Sequence, residues 1–218
     1  GTNLYASTGS DGILLSTNSG TSWSKVNTGY CATYISCLLT SGSNLFAGSR
    51  YGQGAFLTTD DGSNWADVNN GLTNKTVYAF ASNGSTMFVG IGVGGVFRST
   101  NAGTNWTPVN NGLPDTIVTA LALSGSNLFA GTYSSGVFLS TDNGANWTAV
   151  NNGLPNAAVN TFCKRGSALF VGTDGGIYLT TNNGTTWTSS LAVPWVNAIA
   201  GNSTKLFAST ARIMGFYE

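Results

Sequence analysis

Apolar and polar residues alternate with a period of two along most of the chain, in short runs punctuated by Gly, Asn and Ser. No stretch carries the 3.6-residue period of a helix. The pattern therefore predicts strands and tight turns throughout. A short apolar run starts at Leu4, Leu45, Met87, Leu128, Leu169 and Leu206, at steps of 41, 42, 41, 41 and 37 residues. In the fourth copy, the alternation predicts strand A over 117–123, strand B over 128–132, strand C over 137–140 and strand D over 147–150.

Tryptophan keeps the same time. Trp23, Trp65, Trp106, Trp147 and Trp187 lie 42, 41, 41 and 40 residues apart, and each closes an octapeptide of the form [ST]-T-[DN]-x-G-x-x-W. Four short strands in a period of about 40 residues are the signature of a propeller blade. The expected fold is all-β, a single propeller domain of four-stranded antiparallel blades over 1–218. Strand A supports this, because its alternate positions are mostly small (Cys37, Ala79, Ala120, Thr161, Ala198 and Leu39, Ala81, Ala122, Cys163, Ala200) with large residues between them. Inner strands converging on an axis need small side chains on one face.

The chain begins in the B–C–D part of one blade and ends in the A–B part of another. If 195–200 completes the first blade, the ring has five blades and 204–218 is a surplus tail. We favour that arrangement, because a missing inner strand would leave backbone groups unpaired. The alternatives are six places with incomplete terminal blades, or a fragment of a longer array.

The octapeptide resembles the Asp-box, or BNR repeat, of sialidase-type propellers, and the resemblance covers nearly the whole chain. In that family the motif forms the turn between strands C and D. The residues suit a structural role: Asn18, Asp60, Asn101, Asp142 and Asn182 can accept backbone N–H bonds in a tight turn. The glycine at each fifth position supplies φ > 0.

Composition narrows the function. Only 7% of the 218 residues are charged, with 8 Lys+Arg balancing 8 Asp+Glu, where a globular domain carries about a quarter. The scattered cations argue against nucleic acid. No apolar run is long enough for a membrane-spanning helix. A neutral surface of Ser, Thr, Asn and Gly suits an extracellular or periplasmic setting, with any export signal removed. Without His, and with three cysteines (Cys31, Cys37, Cys163), the chain offers no metal-ligand set and no His-dependent triad, so no cofactor is expected. Cys31 and Cys37 form either a local bridge or, more in keeping with an odd count, ordinary buried thiols. Sequons such as Asn74-Lys75-Thr76 follow from the composition alone.

The A–B turns are uniform (41–44 and 124–127 both read Ser-Gly-Ser-Asn), whereas the B–C loops differ from copy to copy: Gly9-Ser10-Asp11, 50–53, 92–94, 133–135 and Asp174-Gly175. Departures from an internal consensus are where function is written in a repeat protein. Candidate ligand-binding residues on that loop face are Asp11, Arg50, Tyr51, Tyr133, Asp174 and Trp195. Asn160 and Asn197 join them from the first position of strand A, which lines the axial mouth with Ser36, Tyr78 and Thr119. The Asn-Asn-Gly runs at 69–71, 110–112 and 151–153 read as turns.

A sialidase-like site is rejected. The single Glu is Glu218, and Arg165, in an A–B turn, falls on the opposite face from Arg50 and Arg212. A xyloglucanase-type pair drawn from Asp11, Asp115 and Asp174 stays a minor alternative, since such carboxylates must stand about 5–9.5 Å apart. The chain also resembles photosystem II assembly-factor-like and sortilin-type propellers, which implies a docking platform. The favoured reading is a non-catalytic module, monomeric or part of a larger surface protein, that binds a protein partner. A lectin-like glycan binder is the alternative.

Overall fold

The computed structural model describes residues 3–9, 11–29, 34–114, 117–202 and 204–210. They form strands and turns without a helix. The chain divides into two compact units, Gly1–Val109 and Asn110–Glu218.

In the first unit, β1 (Leu4–Thr8), β2 (Gly12–Ser16) and β3 (Ser24–Lys25) make a three-stranded antiparallel sheet. Two four-stranded meanders follow: β4 (Ile35–Ser41), β5 (Asn44–Ser49), β6 (Ala55–Thr58) and β7 (Ala66–Asp67), then β8 (Val77–Ser82), β9 (Met87–Ile91), β10 (Val96–Ser99) and β11 (Thr107–Pro108). In the second unit, β12 (Val118–Ser124), β13 (Asn127–Thr132), β14 (Val137–Ser140) and β15 (Thr148–Ala149) form one four-stranded sheet. A second contains β16 (Val159–Arg165), β17 (Ala168–Thr173), β18 (Gly176–Thr180) and β19 (Thr188–Leu191). Finally β20 (Val196–Gly201) pairs with β21 (Leu206–Thr210). The strands expected in the fourth copy match β12 to β15, with D shortened to two residues.

Residues 206–210 form a strand paired with 196–201. The sequence thus holds a three-stranded B–C–D sheet at its start, four complete four-stranded sheets, and a two-stranded A–B sheet at its end. Residues 211–218, including the expected start of a strand C and Arg212 and Glu218, lie outside the described residues, as do Cys31 and Asp115. Cys37 and Cys163 are free thiols, and burial pushes the Cys37 thiol up to about 12.

Three A–B turns, between β4 and β5, β12 and β13, and β16 and β17, are two-residue hairpins, and the β8–β9 and β20–β21 connections are four residues long. Gly42 (φ 63°) and Gly125 (φ 64°) occupy the first central position, where a type II′ turn requires φ > 0.

Core residues lie between neighbouring sheets within each unit. Phe46 and Ala55 of one sheet pack with Val77, Phe80, Met87 and Trp106 of the next, and Ala120, Phe129 and Val137 pack with Val159, Val171 and Trp187. Small residues on strand A permit this approach, as expected, but a glycine on strand B proves equally necessary. Gly48, Gly131 and Gly172 pair with Cys37, Ala120 and Thr161. A Cβ on Gly48 would lie 2.5 Å from Val77 Cγ1, one on Gly131 2.3 Å from Val159 Cγ1, and one on Gly172 2.7 Å from Val196 Cγ1. These are steric vacancies for the valine that opens strand A of the following sheet.

The octapeptide turns repeat one hydrogen-bond pattern. In the second copy, Thr58 Oγ1 donates to Asp60 Oδ1 (2.7 Å) and accepts from Gly62 N (3.0 Å), while Asp60 Oδ1 accepts from Asn64 N (2.9 Å). Ser16, Ser99, Ser140 and Thr180 do the same in the other four. The leading hydroxyl, buried in every copy, is thus the centre of the turn, a role the sequence pattern contained but did not reveal. Side chains four residues apart are matched in chemistry. After Asp60 and Asp142 comes an Asn whose amide donates to the second carboxylate oxygen (2.8 Å in both). After Asn18 and Asn182 comes a Ser or Thr hydroxyl that accepts from the Asn amide. The bonds from Asn64 and Asn146, foremost their side-chain amides, hold the Asp60 and Asp142 carboxyls down to about 2.

Tryptophan ties one sheet to the next. Trp65, Trp106 and Trp187 donate Nε1–H to the carbonyls of Val26, Val68 and Val150 at 2.7–2.8 Å. The Asn-Asn-Gly turns add to this, each closed by an i to i+3 bond. The carbonyls of Asn70, Asn111 and Asn152 accept from the backbone N–H of Trp106, Trp147 and Trp187, all at 2.9 Å.

Candidate functional site on the loop end of the sheets

Each four-stranded sheet repeats a backbone bond at the start of its B–C loop. The first residue after strand B donates its N–H to the carbonyl just before strand A: Arg50 to Tyr34 (3.1 Å), Gly92 to Thr76 (2.8 Å), Tyr133 to Ile117 (3.1 Å) and Asp174 to Ala158 (3.1 Å). One backbone position thus carries a cation, a glycine, an aromatic ring and an anion in turn. A constant scaffold with a variable side chain is the arrangement expected of a recognition surface built on repeats.

A second constant feature lies beside it. In each A–B pair the register shifts by one residue near the start of strand A, leaving Ser36, Tyr78, Thr119, Asn160 and Asn197 as the extra residue of a β-bulge. Bulges re-aim a side chain. Ser36 Oγ is shared between the carbonyls of Gly48 (3.0 Å) and Val77, and Thr119 Oγ1 between those of Gly131 (3.1 Å) and Val159. Asn160 Nδ2 donates to Val196 O (3.1 Å) and Asp174 Oδ1 (2.8 Å). The hydroxyls and amides expected at the mouth therefore latch neighbouring sheets together, and Asn197 stands exposed.

In the first unit, Asp11 is ion-paired to Lys25 Nζ at 2.5 Å. Arg50 extends its guanidinium over the Tyr78 ring, 5.5 Å from the centroid. Tyr51, 65% exposed, meets Tyr34 edge to face, with centroids 4.9 Å apart and planes at 88°. Tyr34 is a residue that sequence reasoning missed, and its backbone is left-handed (φ 60°), which is strained for a bulky side chain.

In the second unit, Asp174 is held by Asn160, and Trp195 donates its backbone N–H to Asp174 O (3.2 Å). Trp195 also has a left-handed backbone (φ 57°) and leaves 41% of its surface exposed. Tyr133 is 61% exposed at the loop position already described. The structure thus links Asn160, Asp174 and Trp195 directly, and groups Arg50 and Tyr51 with Tyr34 and Tyr78. Asp11 is engaged by Lys25.

Two grooves, of about 430 and 530 Å³, open at the opposite end of the first unit's sheets, between A–B turns and octapeptide turns. Their walls come from the uniform turns, and Tyr5 Oη donates to Asp61 Oδ1 (2.6 Å) within the first. Tyr5 holds the place that Phe46, Phe88, Phe129, Phe170 and Phe207 fill in the other copies. Among the described residues, no cluster of three His, Cys, Asp or Glu side chains could hold a metal ion. No helix there is long and apolar enough to cross a membrane.

Sheets of this order, repeated and latched in this way, define a β-propeller. The family model for the DUF6242 beta propeller domain matches residues 52–160, and the chain belongs to that family. No curated protein matches the sequence. Among solved structures, the chain is similar to the extracellular domain of BT4673 from B. thetaiotaomicron. The TM-score is 0.79 at 19% identity, covering 96% of this chain and 30% of that one. It is also similar to the GH74 xyloglucanase of Xanthomonas campestris, with TM-score 0.66, 16% identity, and 88% and 37% covered. The third is YCF48 bound to D1 peptide, with TM-score 0.64, 14% identity, and 90% and 67% covered. The chain spans less than a third of the BT4673 domain. At these identities the likeness is one of fold, shared by enzymes and binding proteins alike.

Proposed function

We propose that this propeller is a non-catalytic, extracellular interaction module that docks a protein partner on its variable B–C loop end. The observation that carries the proposal is the repeated backbone bond whose donor residue changes from Arg50 to Gly92, Tyr133 and Asp174, flanked by exposed Tyr51 and Trp195. Exposed Tyr, Trp and Arg are the side chains that anchor protein interfaces. Two carboxylates suggested for hydrolysis are already engaged, Asp11 by Lys25 and Asp174 by Asn160, which favours binding over catalysis. The similar structures support the setting, one being an extracellular domain and another a propeller with a bound peptide.

Panning a displayed random-peptide library on the chain, with a glycan array beside it, tests the reading. Enriched peptides are expected to lose about tenfold or more in affinity in the Tyr51→Ala or Tyr133→Ala variants, an effect of the size found for interface anchors. Saturable glycan binding lost in those same variants, or peptides indifferent to both, would overturn it.

A further inference from the structure

We propose that Tyr34, Arg50, Tyr51 and Tyr78 form a carboxylate-binding station, and that the partner presents an acidic peptide segment to it. The proposal rests on the loop-end reading above and names the chemistry of the partner.

Four observations converge on it. The first is the state of the cation. Among the described residues the single ion pair is Lys25 with Asp11, so Arg50 faces no carboxylate while Lys25 is neutralised. The second is preorganisation. The Arg50 guanidinium lies over the Tyr78 ring, and its own backbone N–H is fixed to Tyr34 O. A cation–π contact on one face leaves the edge of the planar fork, with its N–H donors, available to a carboxylate. An arginine already held in place loses less side-chain entropy when it forms a bidentate pair.

The third observation is the aromatic rim. Tyr34 and Tyr51, both exposed, stand edge to face beside Arg50 and provide apolar contact for the carbon skeleton that bears the carboxylate. The backbone strain at Tyr34 is concentrated at this rim (φ 60°). The fourth is the close backbone packing that holds the rings in place. A Cβ on Gly9 would lie 3.4 Å from Tyr34 Cε1, and one on Gly92 3.4 Å from Tyr78 Cε2, so glycines border both rings. Tyr78 holds its position through the β-bulge at the start of β8, which sets its side chain apart from the regular alternation of the strand.

One guanidinium on a chain of zero net charge suits a short acidic segment better than a polyanion, which is held by many phosphate contacts.

The test is a titration of the ¹⁵N-labelled chain with millimolar acetyl-Asp-Glu-Asp-Glu-amide, and with its Asn-Gln-Asn-Gln twin, followed by amide chemical shifts. The acidic peptide is expected to shift the amides of residues 34, 50–52 and 92, and the neutral twin to leave them in place. Arg50→Gln should weaken binding by about tenfold or more, and Arg50→Lys nearly as much, because an ammonium cannot fork. Tyr78→Phe should keep binding, since the ring face is what supports the cation, while Tyr78→Ala should lose it. Equal shifts from the twin, or unchanged affinity in Arg50→Gln, would overturn the proposal. If panned peptides instead depend on Tyr133 and not on Arg50, the acidic station fails and the loop-end reading stands. If no peptide of any charge is enriched, the loop-end reading itself has failed.

Discussion

Trp106→Ala is expected to lower unfolding free energy by about 3–5 kcal/mol, the range for removing a buried large aromatic residue. Three losses add together. The indole is 3% exposed and packs with Phe46, Phe80 and Met87, so its removal opens a cavity between two sheets. The Phe80 ring, 6.3 Å away, loses a neighbour. Val68 O loses the Nε1–H donor at 2.8 Å and is left with an incomplete partner set. Trp106→Phe separates the terms, since it keeps most of the apolar area and removes the bond; it should cost less than half as much. Denaturant unfolding followed by circular dichroism measures both. A loss below about 1 kcal/mol in Trp106→Ala would mean that the tryptophan is not the plug between sheets. Trp23 shows what the packing does for the others: it ends the same octapeptide but is 43% exposed.

The second large effect is expected from adding a single methyl group. Gly131→Ala would place Cβ 2.3 Å from Val159 Cγ1, 2.9 Å from Val159 Cβ and 3.1 Å from Phe162 Cε2. Neither Gly131 nor its strand partner Ala120 can retreat, because both are locked in the β12–β13 ladder. Forcing an extra carbon into a filled core costs about 1–3 kcal/mol where neighbours can shift, and this contact lies at the upper end or beyond. The backbone of Gly131 is not left-handed, so the cost comes from packing and not from φ. That distinction can be tested. Val159→Ala in the same chain removes the 2.3 Å contact and leaves the 2.9 Å one, so the double variant should recover part of the loss and give a coupling energy well outside additivity. Additive effects would show that the glycine is required for some other reason.

The strands, their order within each sheet and the octapeptide turns were legible because each is a local pattern repeated five or six times. Trp65, Trp106, Trp147 and Trp187 announced themselves by spacing alone, and all are buried. What escaped notice depends on a neighbouring sheet. Gly48, Gly131 and Gly172 look like tolerated glycines within strands until Val77, Val159 and Val196 are seen to need the space. The hydroxyls and amides at Ser36, Thr119 and Asn160 looked free to line a mouth, and a bulge turns them towards carbonyls some 40 residues away in the chain.

The candidate site was legible in the same partial way. Arg50, Tyr51, Tyr133 and Asp174 stood out by departing from an internal consensus, but Tyr34 did not, nor did the contact of Arg50 with Tyr78, because these partners lie 16 to 28 residues away in sequence. The pairing of Asp11 with Lys25, across the β2–β3 hairpin, likewise needed the fold. The pairing of 206–210 with 196–201 also needed the fold.

The central claim is that one end of these sheets is scaffold and the other is the recognition surface. Hydrogen exchange, read by mass spectrometry on the chain alone and with its tightest panned peptide, tests it most directly. Slowed exchange is expected to be confined to B–C loops, around 50–54 and 92–95 in the first unit or 133–136 and 174–176 in the second, and to the residues just before strand A. Protection centred instead on the octapeptide turns and the Ser-Gly-Ser-Asn hairpins, with those loops unchanged, would contradict it.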